Sequence, residues 1–344
     1  MKSIFQTIAG MTFLCLLFLC ACQEGAQEQT SNTATAPAVS SAIPDIEVLN
    51  QKLAEDPQNP QLYAARARAY YEHDGYDEAI DDLNNALRLD TSNVAYMHLL
   101  ADVYLDYFKS SYALKTMERV VELYPKRIPS LLKLAEFQLI LKKHDESLQT
   151  IERILKQDAL NGEAFYMTGR VFEDMGEMDK AIRSYEKAVD SDPDLSEVWM
   201  KLGSLFAERK DPNAIRYFDN AILVDSANID AHFNKASYLH NRGELQKAIA
   251  TYRNIHRIAP QMADAYYNCG LAYMELDSLD HASAQFDLTV KMKPTHIMGY
   301  CYRGVASEMK GDLTKAKNDF KQALNLAPNF ERAQQALQKL ESVN

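Results

Sequence analysis

The chain repeats itself, and this limits its fold more than any other feature. A small residue recurs at Ala79, Ala113, Ser147, Ala181, Ala214, Ala248, Ala282 and Ala316, in steps of 34 residues with one step of 33 between Ala181 and Ala214. Its surroundings recur with it, as in Met178-Asp179-Lys180-Ala181-Ile182 and Leu245-Gln246-Lys247-Ala248-Ile249. An ordinary chain of 344 residues would divide into two or three globular domains. A chain that repeats at this interval instead stacks similar units, each burying its apolar face only against its neighbours.

Counting places from Pro60, other positions keep the same register. Place 4 holds Tyr63, Met97, Leu131, Phe165, Trp199, His232, Tyr266 and Tyr300. Place 8 is Ala or Gly in every copy: Ala67, Ala101, Ala135, Gly169, Gly203, Ala236, Gly270 and Gly304. Place 24 is bulky in every copy: Leu83, Met117, Ile151, Tyr185, Phe218, Tyr252, Phe286 and Phe320. Proline holds place 32 at Pro125, Pro193, Pro260, Pro294 and Pro328. The pattern describes two antiparallel helices joined by a tight turn. Small residues at places 8 and 20 let the helices approach, and the place-24 side chain fills the gap between them. Gly176, Gly243 and Gly311 supply a left-handed backbone at the turn, and the proline ends the second helix.

This register resembles the tetratricopeptide repeat (TPR). The resemblance runs over 60–330, about four fifths of the chain. It implies an all-α, right-handed superhelical solenoid of about eight helix-turn-helix repeats, at 60–93, 94–127, 128–161, 162–195, 196–228, 229–262, 263–296 and 297–330. Residues 44–59 read as an N-terminal capping helix or partial repeat, since Pro57 lies in phase with the later prolines. Residues 331–344 read as a C-terminal capping helix with a polar outer face. Three departures stand out. Repeat two has Asp106-Tyr107-Phe108-Lys109-Ser110 where the turn glycine belongs, which predicts a looser turn. Repeat three carries Gln138 and Ser147 at places otherwise apolar and Ala. Repeat five is one residue short, and Asp211-Pro212 predicts an N-cap and first-turn proline that start its second helix early.

The N-terminus reads as an address and an anchor. Lys2 precedes an apolar run from Ile4 to Leu19, followed by Leu19-Cys20-Ala21-Cys22. A charged start, an apolar core and small residues before a cut form the secretory pattern, so 1–21 is expected to be a signal peptide. The last four residues resemble the bacterial lipobox, which implies that Cys22 is lipidated and becomes the first mature residue. Gln23 rather than Asp follows it, which by the same resemblance favours the outer membrane. The alternative is an uncleaved span, for which roughly 16 apolar residues is short against the ~20 required. Residues 23–43 have almost no large apolar side chain, so 22–43 is expected to be the lipidated Cys and a flexible tether.

The net charge of −11 argues against a nucleic-acid partner, since phosphate binding needs a basic face. No metal-ligand spacing, nucleophile motif or phosphate loop occurs, so neither a catalytic site nor a cofactor is expected. Cys269 and Cys301 stand on adjacent first helices. They can be read as a disulfide of an exported protein or as small buried thiols, and helix spacing of ~8–10 Å favours the thiols.

In the TPR family the working surface is the concave face of the first helices. The resemblance places Phe233, Asn234, Ser237, His240, Tyr267, Asn268, Leu271, Met274, Tyr302 and Val305 there. Phe233, Tyr267 and Tyr302 would hold an apolar side chain, and Asn234 and Asn268 would hydrogen-bond a peptide backbone. The same residues can also be read as packing helix on helix alone. The carboxylate clamp of chaperone-binding TPRs is not matched, because Asp230, Asp264 and Met298 stand where a cation belongs. Asp102, Asp106, Glu136, Glu163, Asp174 and Glu197 line the N-terminal half and predict a basic or neutral partner there. The expected function is a membrane-anchored scaffold or adaptor at the bacterial envelope that binds envelope proteins or peptide segments. The alternative is a surface lipoprotein that captures a glycan or other nutrient. Homodimerisation is left open.

Overall fold

The computed structural model describes residues 44–342, which contain eighteen α-helices and no strand. The expected signal peptide, the expected lipidation of Cys22 and the expected tether therefore lie outside the described residues. Among those described, no helix is long and apolar enough to cross a membrane.

Helix α1 (Pro44–Glu55) packs on the first of eight consecutive helix pairs. The pairs are α2 (Pro60–Tyr71) with α3 (Tyr76–Leu89), α4 (Val94–Asp106) with α5 (Ser110–Leu123), and α6 (Ile128–Ile140) with α7 (His144–Leu155). There follow α8 (Gly162–Asp174) with α9 (Met178–Ser191), α10 (Ser196–Glu208) with α11 (Ala214–Val224), and α12 (Ile229–Asn241) with α13 (Leu245–Ile258). The last pairs are α14 (Ala263–Glu275) with α15 (Leu279–Met292) and α16 (Ile297–Met309) with α17 (Leu313–Leu326), after which α18 (Glu331–Ser342) covers the end with Ala333 and Leu340 buried. Each helix touches its sequence neighbours, so the fold is a solenoid rather than a bundle. First helices also touch from pair to pair, as α6 with α8, α10 with α12 and α14 with α16. Second helices stand farther apart, so the stack curves with the first helices inside.

Place 8 against place 24 holds each pair together. At Gly203, Gly270 and Gly304 an added Cβ would lie 2.5 Å, 2.6 Å and 2.7 Å from the rings of Phe218, Phe286 and Phe320, and Gly169 faces Tyr185 in the same way. In the first three pairs Ala67, Ala101 and Ala135 stand at place 8, and the partners are Leu83, Met117 and Ile151. Glycine thus accompanies a ring and alanine an aliphatic chain. Ala236 with Tyr252 is the exception, and nothing in the structure explains it.

All eight turns close alike. One residue per turn takes a positive φ: Asp74, Phe108, Lys142, Gly176, Lys210, Gly243, Asp277 and Gly311. The next N–H donates to the carbonyl five residues back, at 2.8–2.9 Å, as Lys109 to Tyr104 and Glu177 to Phe172. The looser turn predicted for repeat two is therefore not found. Phe108 takes φ 58° with its side chain 93 % exposed, and the same hydrogen bond forms. A left-handed residue with a Cβ costs ~1–2 kcal/mol, a cost offset by the turn's hydrogen bonds and the packing of both helices. The polar residues of repeat three are satisfied inside the pair. Ser147 Oγ donates to the Ala135 carbonyl at 2.8 Å, and Thr150 Oγ1 donates to Gln138 Oε1 at 2.8 Å.

The short repeat corrects a second expectation. Asp211 Oδ1 does accept from Asn213 N, at 2.8 Å. However, Ala214 and Ile215 bond back only three residues, to Asp211 and Pro212, and the α-helix begins at Ala214. The deletion thus removes the first α-turn of α11, so the helix starts late rather than early.

Helix starts and ends are tied by recurrent polar contacts. The side chains of Asn59, Asn93, Asn161 and Asn228 accept from backbone N–H groups two or three residues on and cap four of the first helices. Place 4 reaches back to place 32. Tyr63 donates to the Pro57 carbonyl at 3.2 Å, Trp199 Nε1 to Pro193 at 2.8 Å and Tyr266 to Pro260 at 3.2 Å. Cys269 and Cys301 are buried free thiols, so the disulfide reading does not hold. Burial pushes them up to about 12 and about 11, well above reactive thiols.

Gly270→Ala would gain about 1 kcal/mol of helix propensity but force the buried Phe286 ring aside, and overpacking costs about 1–3 kcal/mol. We expect a lower urea midpoint, and recovery when Phe286→Leu is added, which recreates the pairing of Ala67 with Leu83. Phe108→Gly should raise the unfolding free energy by about 0.5–1 kcal/mol, read as a higher urea midpoint, since the exposed ring loses no packing.

Candidate functional site

The inner face has two differently built halves. In the N-terminal half, charged side chains of one first helix bridge to the next. Lys133 Nζ lies 2.6 Å from Asp102 Oδ1, Arg170 Nη1 lies 2.9 Å from Glu136 Oε1, and Lys201 Nζ lies 2.6 Å from Glu173 Oε1. Glu173 also accepts from the Tyr185 hydroxyl at 2.6 Å, and that bond, with burial as the larger cause, pushes the phenol far up. Asp174 lies between Lys142 at 2.5 Å and His144 Nε2 at 2.6 Å. Asp106 accepts from the Tyr71 hydroxyl. Between Tyr166, Arg170, Glu173 and Lys201 the face opens into a cleft of about 610 Å³.

This half is less acidic than its carboxylates suggested. Asp102, Glu136 and Asp174 each have an in-chain cation, while Glu163 and Glu197 are exposed and form no ion pair. The cations Lys133, Arg170 and Lys201 were missed in the sequence. They sit at places 6 and 9 of successive first helices, where the register would have shown them.

In the C-terminal half the predicted residues fall on three successive first helices: Phe233, Asn234 and Ser237 on α12, Tyr267, Asn268 and Leu271 on α14, and Tyr302 on α16. All are half-buried. Phe233, Tyr267, Leu271 and Tyr302 rest against the core of their repeats. The Phe233 ring meets Tyr252 edge-on at 6.1 Å, and Tyr267 lies 5.1 Å from His296 and 5.7 Å, edge-on, from Tyr302. The guanidinium of Arg332, on the capping helix, lies 4.5 Å over the Tyr302 ring and donates to its hydroxyl. These rings are therefore part of the packing and offer only their exposed edges. The two amides differ. Asn268 Nδ2 donates to the Asp264 carbonyl at 2.9 Å within its own helix, whereas the Asn234 side chain forms no hydrogen bond among the described residues. Ser237 Oγ lies 3.3 Å from the Tyr252 hydroxyl, and His240 Nε2 lies 3.0 Å from Glu275. Among the described residues, no group of His, Cys, Asp and Glu could hold a metal ion.

Comparison with known proteins agrees with this architecture. Models described as tetratricopeptide repeat match residues 139–196, 166–212, 263–296 and 298–330, and one described as TPR repeat matches 236–277. The crystal structure of the C-terminal part of a TPR repeat-containing protein from Cytophaga hutchinsonii is similar in fold, with a TM-score of 0.59 and 18% identity over 69% of this chain and 98% of that one. The general transcriptional corepressor trfA of Dictyostelium discoideum is 29% identical over 136 residues, 39% of this chain and 10% of that protein. General transcription factor 3C polypeptide 3 of Homo sapiens is 23% identical over 162 residues, 43% of this chain and 18% of that protein. The chain thus spans between about a tenth and a fifth of the length of these curated relatives.

His98 lies on the inner face with Nε2 3.1 Å from Ser130 Oγ. Burial, reinforced by Lys133 and Arg127, pulls its imidazole down to about 4. Below about pH 6.5 the unfolded chain takes up a proton that the folded chain refuses, so stability present above that pH is lost as pH falls towards 4. His98→Gln should flatten the fall in urea midpoint between pH 7 and pH 5. An unchanged slope would assign the acid sensitivity elsewhere.

Proposed function

We infer that this chain of tetratricopeptide repeats is an adaptor anchored by lipid at the bacterial envelope, holding segments of partner proteins in its inner groove. Tetratricopeptide repeats generally mediate contacts between proteins, and this chain carries them with short turns throughout. The observation that carries the reading is the row of half-exposed rings and amides on α12, α14 and α16. Rings in this position bury the apolar side chain of a bound segment, and an amide both donates to and accepts from its backbone. Asn234, whose side chain has no hydrogen-bond partner among the described residues, is the best placed of these groups. The lipobox-like Leu19-Cys20-Ala21-Cys22 and the polar stretch after it support attachment to a membrane by acyl chains.

The test joins in-cell crosslinking with affinity capture, on the native chain and on Asn234→Ala with Asn268→Ala. The amides are chosen because truncating Phe233 or Tyr267 would also open the core. Losing about two hydrogen bonds at ~1 kcal/mol each should weaken capture of an envelope protein by at least about tenfold, with melting unchanged. Cys22→Ser should move the protein from the membrane to the soluble fraction. Undiminished capture by the amide variant would remove the groove from the reading, and membrane retention of Cys22→Ser would remove the anchor.

A further inference from the structure

The outer face has a site of a different kind. Between α3 and α5 a cleft of about 660 Å³ opens to solvent. Leu87, Tyr104 and Tyr112 give it an apolar floor, with the two rings 5.4 Å apart and Tyr112 60 % exposed. Arg88, Lys115 and Arg119 stand around it, and no carboxylate lines it. Among the described residues none of the three forms an ion pair, and the Arg88 guanidinium donates only to the amide oxygen of Asn85. On the inner face, by contrast, Lys133, Arg170 and Lys201 each meet a carboxylate.

The arrangement on α5 sharpens the contrast. Lys115 and Arg119, one turn apart, face the cleft towards α3. Glu118 and Glu122, also one turn apart, line a separate cleft on the other flank, together with Glu146 of α7. Like charges four residues apart disfavour an isolated helix. Opposite charges three residues apart, Lys115 with Glu118 and Arg119 with Glu122, offset that cost, so what sets this flank apart is that both cations line the cleft and both carboxylates lie outside it. An apolar floor ringed by unpaired cations, in a chain of net charge −11, is complementary to a ligand that is apolar and anionic together.

We propose that this outer cleft is a second protein-binding site, and that it takes an acidic segment of a partner, presenting a large apolar side chain between carboxylates. The apolar side chain enters between Tyr104 and Tyr112, and the carboxylates meet Arg88, Lys115 and Arg119. The site faces away from the inner groove, so one chain can hold two partners at once. It does not depend on the groove being correct.

The test is calorimetric titration of the full chain with a synthetic 14-residue peptide carrying Glu and Leu at helical spacing, alongside the same peptide with Gln for Glu. The acidic peptide should bind, and its affinity should fall with added salt. The Gln peptide should bind at least about tenfold more weakly. Arg88→Glu with Lys115→Glu and Arg119→Glu should weaken the acidic peptide by at least about tenfold, and Arg88→Gln with Lys115→Gln and Arg119→Gln, which adds no like charge beside Glu118 and Glu122, should weaken it with melting unchanged. Asn234→Ala with Asn268→Ala should leave it unaffected. No binding to the native chain, equal binding of the Gln peptide, or loss in the amide variant instead would overturn the proposal. So would a concentration-dependent rise in mass that the charge-reversed variant abolishes, because the occupant would then be a second copy of this chain.

Discussion

The fit of place 8 against place 24 is the contact on which the rest of the molecule depends. It sets how closely the two helices of a pair approach, and that distance passes into every later contact along the stack. Where the gap-filler is a ring, as at Phe218, Phe286 and Phe320, the facing helix has lost even its Cβ. A mid-helix glycine costs about 1 kcal/mol relative to alanine. Burial of a whole aromatic side chain is worth roughly 1.5–3 kcal/mol and outweighs that cost. Helix propensity therefore yields to packing at four of the eight pairs.

Because each pair packs only on its neighbours, the ends need their own protection. Helices α1 and α18 cover the terminal pairs. The first and last pairs also share a polar latch. Arg66 grips Asp82 with two hydrogen bonds of 2.7 Å, and Arg303 grips Asp319 at 2.6 and 3.0 Å. Both carboxylates are nearly buried, where removing one partner of an ion pair is far costlier than at the surface. Between the ends, the inner-face bridges from Asp102 to Lys133, Glu136 to Arg170 and Glu173 to Lys201 join successive repeats rather than the two helices of one repeat. Such half-exposed pairs add little each. Their larger effect is to fix which charges remain for a partner.

Charge and apolar surface are thus distributed differently on the two faces. Inside, most carboxylates are answered and the rings are half committed to packing, which leaves amides and ring edges as the accessible chemistry. Outside, second helices stand apart, clefts form between them, and the cations around one of these clefts have no carboxylate partner among the described residues. A solenoid suits this division, because its two faces are built from different helices and their surfaces can change independently of the shared core.

The sequence alone determined the period, the helix pairing, the small-against-bulky core and the caps. Each of these is local or repeats at a fixed interval, so eight copies reinforce one reading. Turn chemistry was only partly legible. Glycine marked three left-handed positions, but Asp74, Phe108, Lys142, Lys210 and Asp277 adopt the same backbone because the packing of both helices imposes it. The tertiary structure alone decided the rest. It answered Asp102 with Lys133 from 31 residues away, left the Asn234 side chain without a hydrogen bond among the described residues, and brought the cations of α5 to one cleft with Arg88 of α3. These outcomes depend on which side chains meet across neighbouring repeats, and the distance and angle between repeats come from the packed core rather than from any one stretch of sequence.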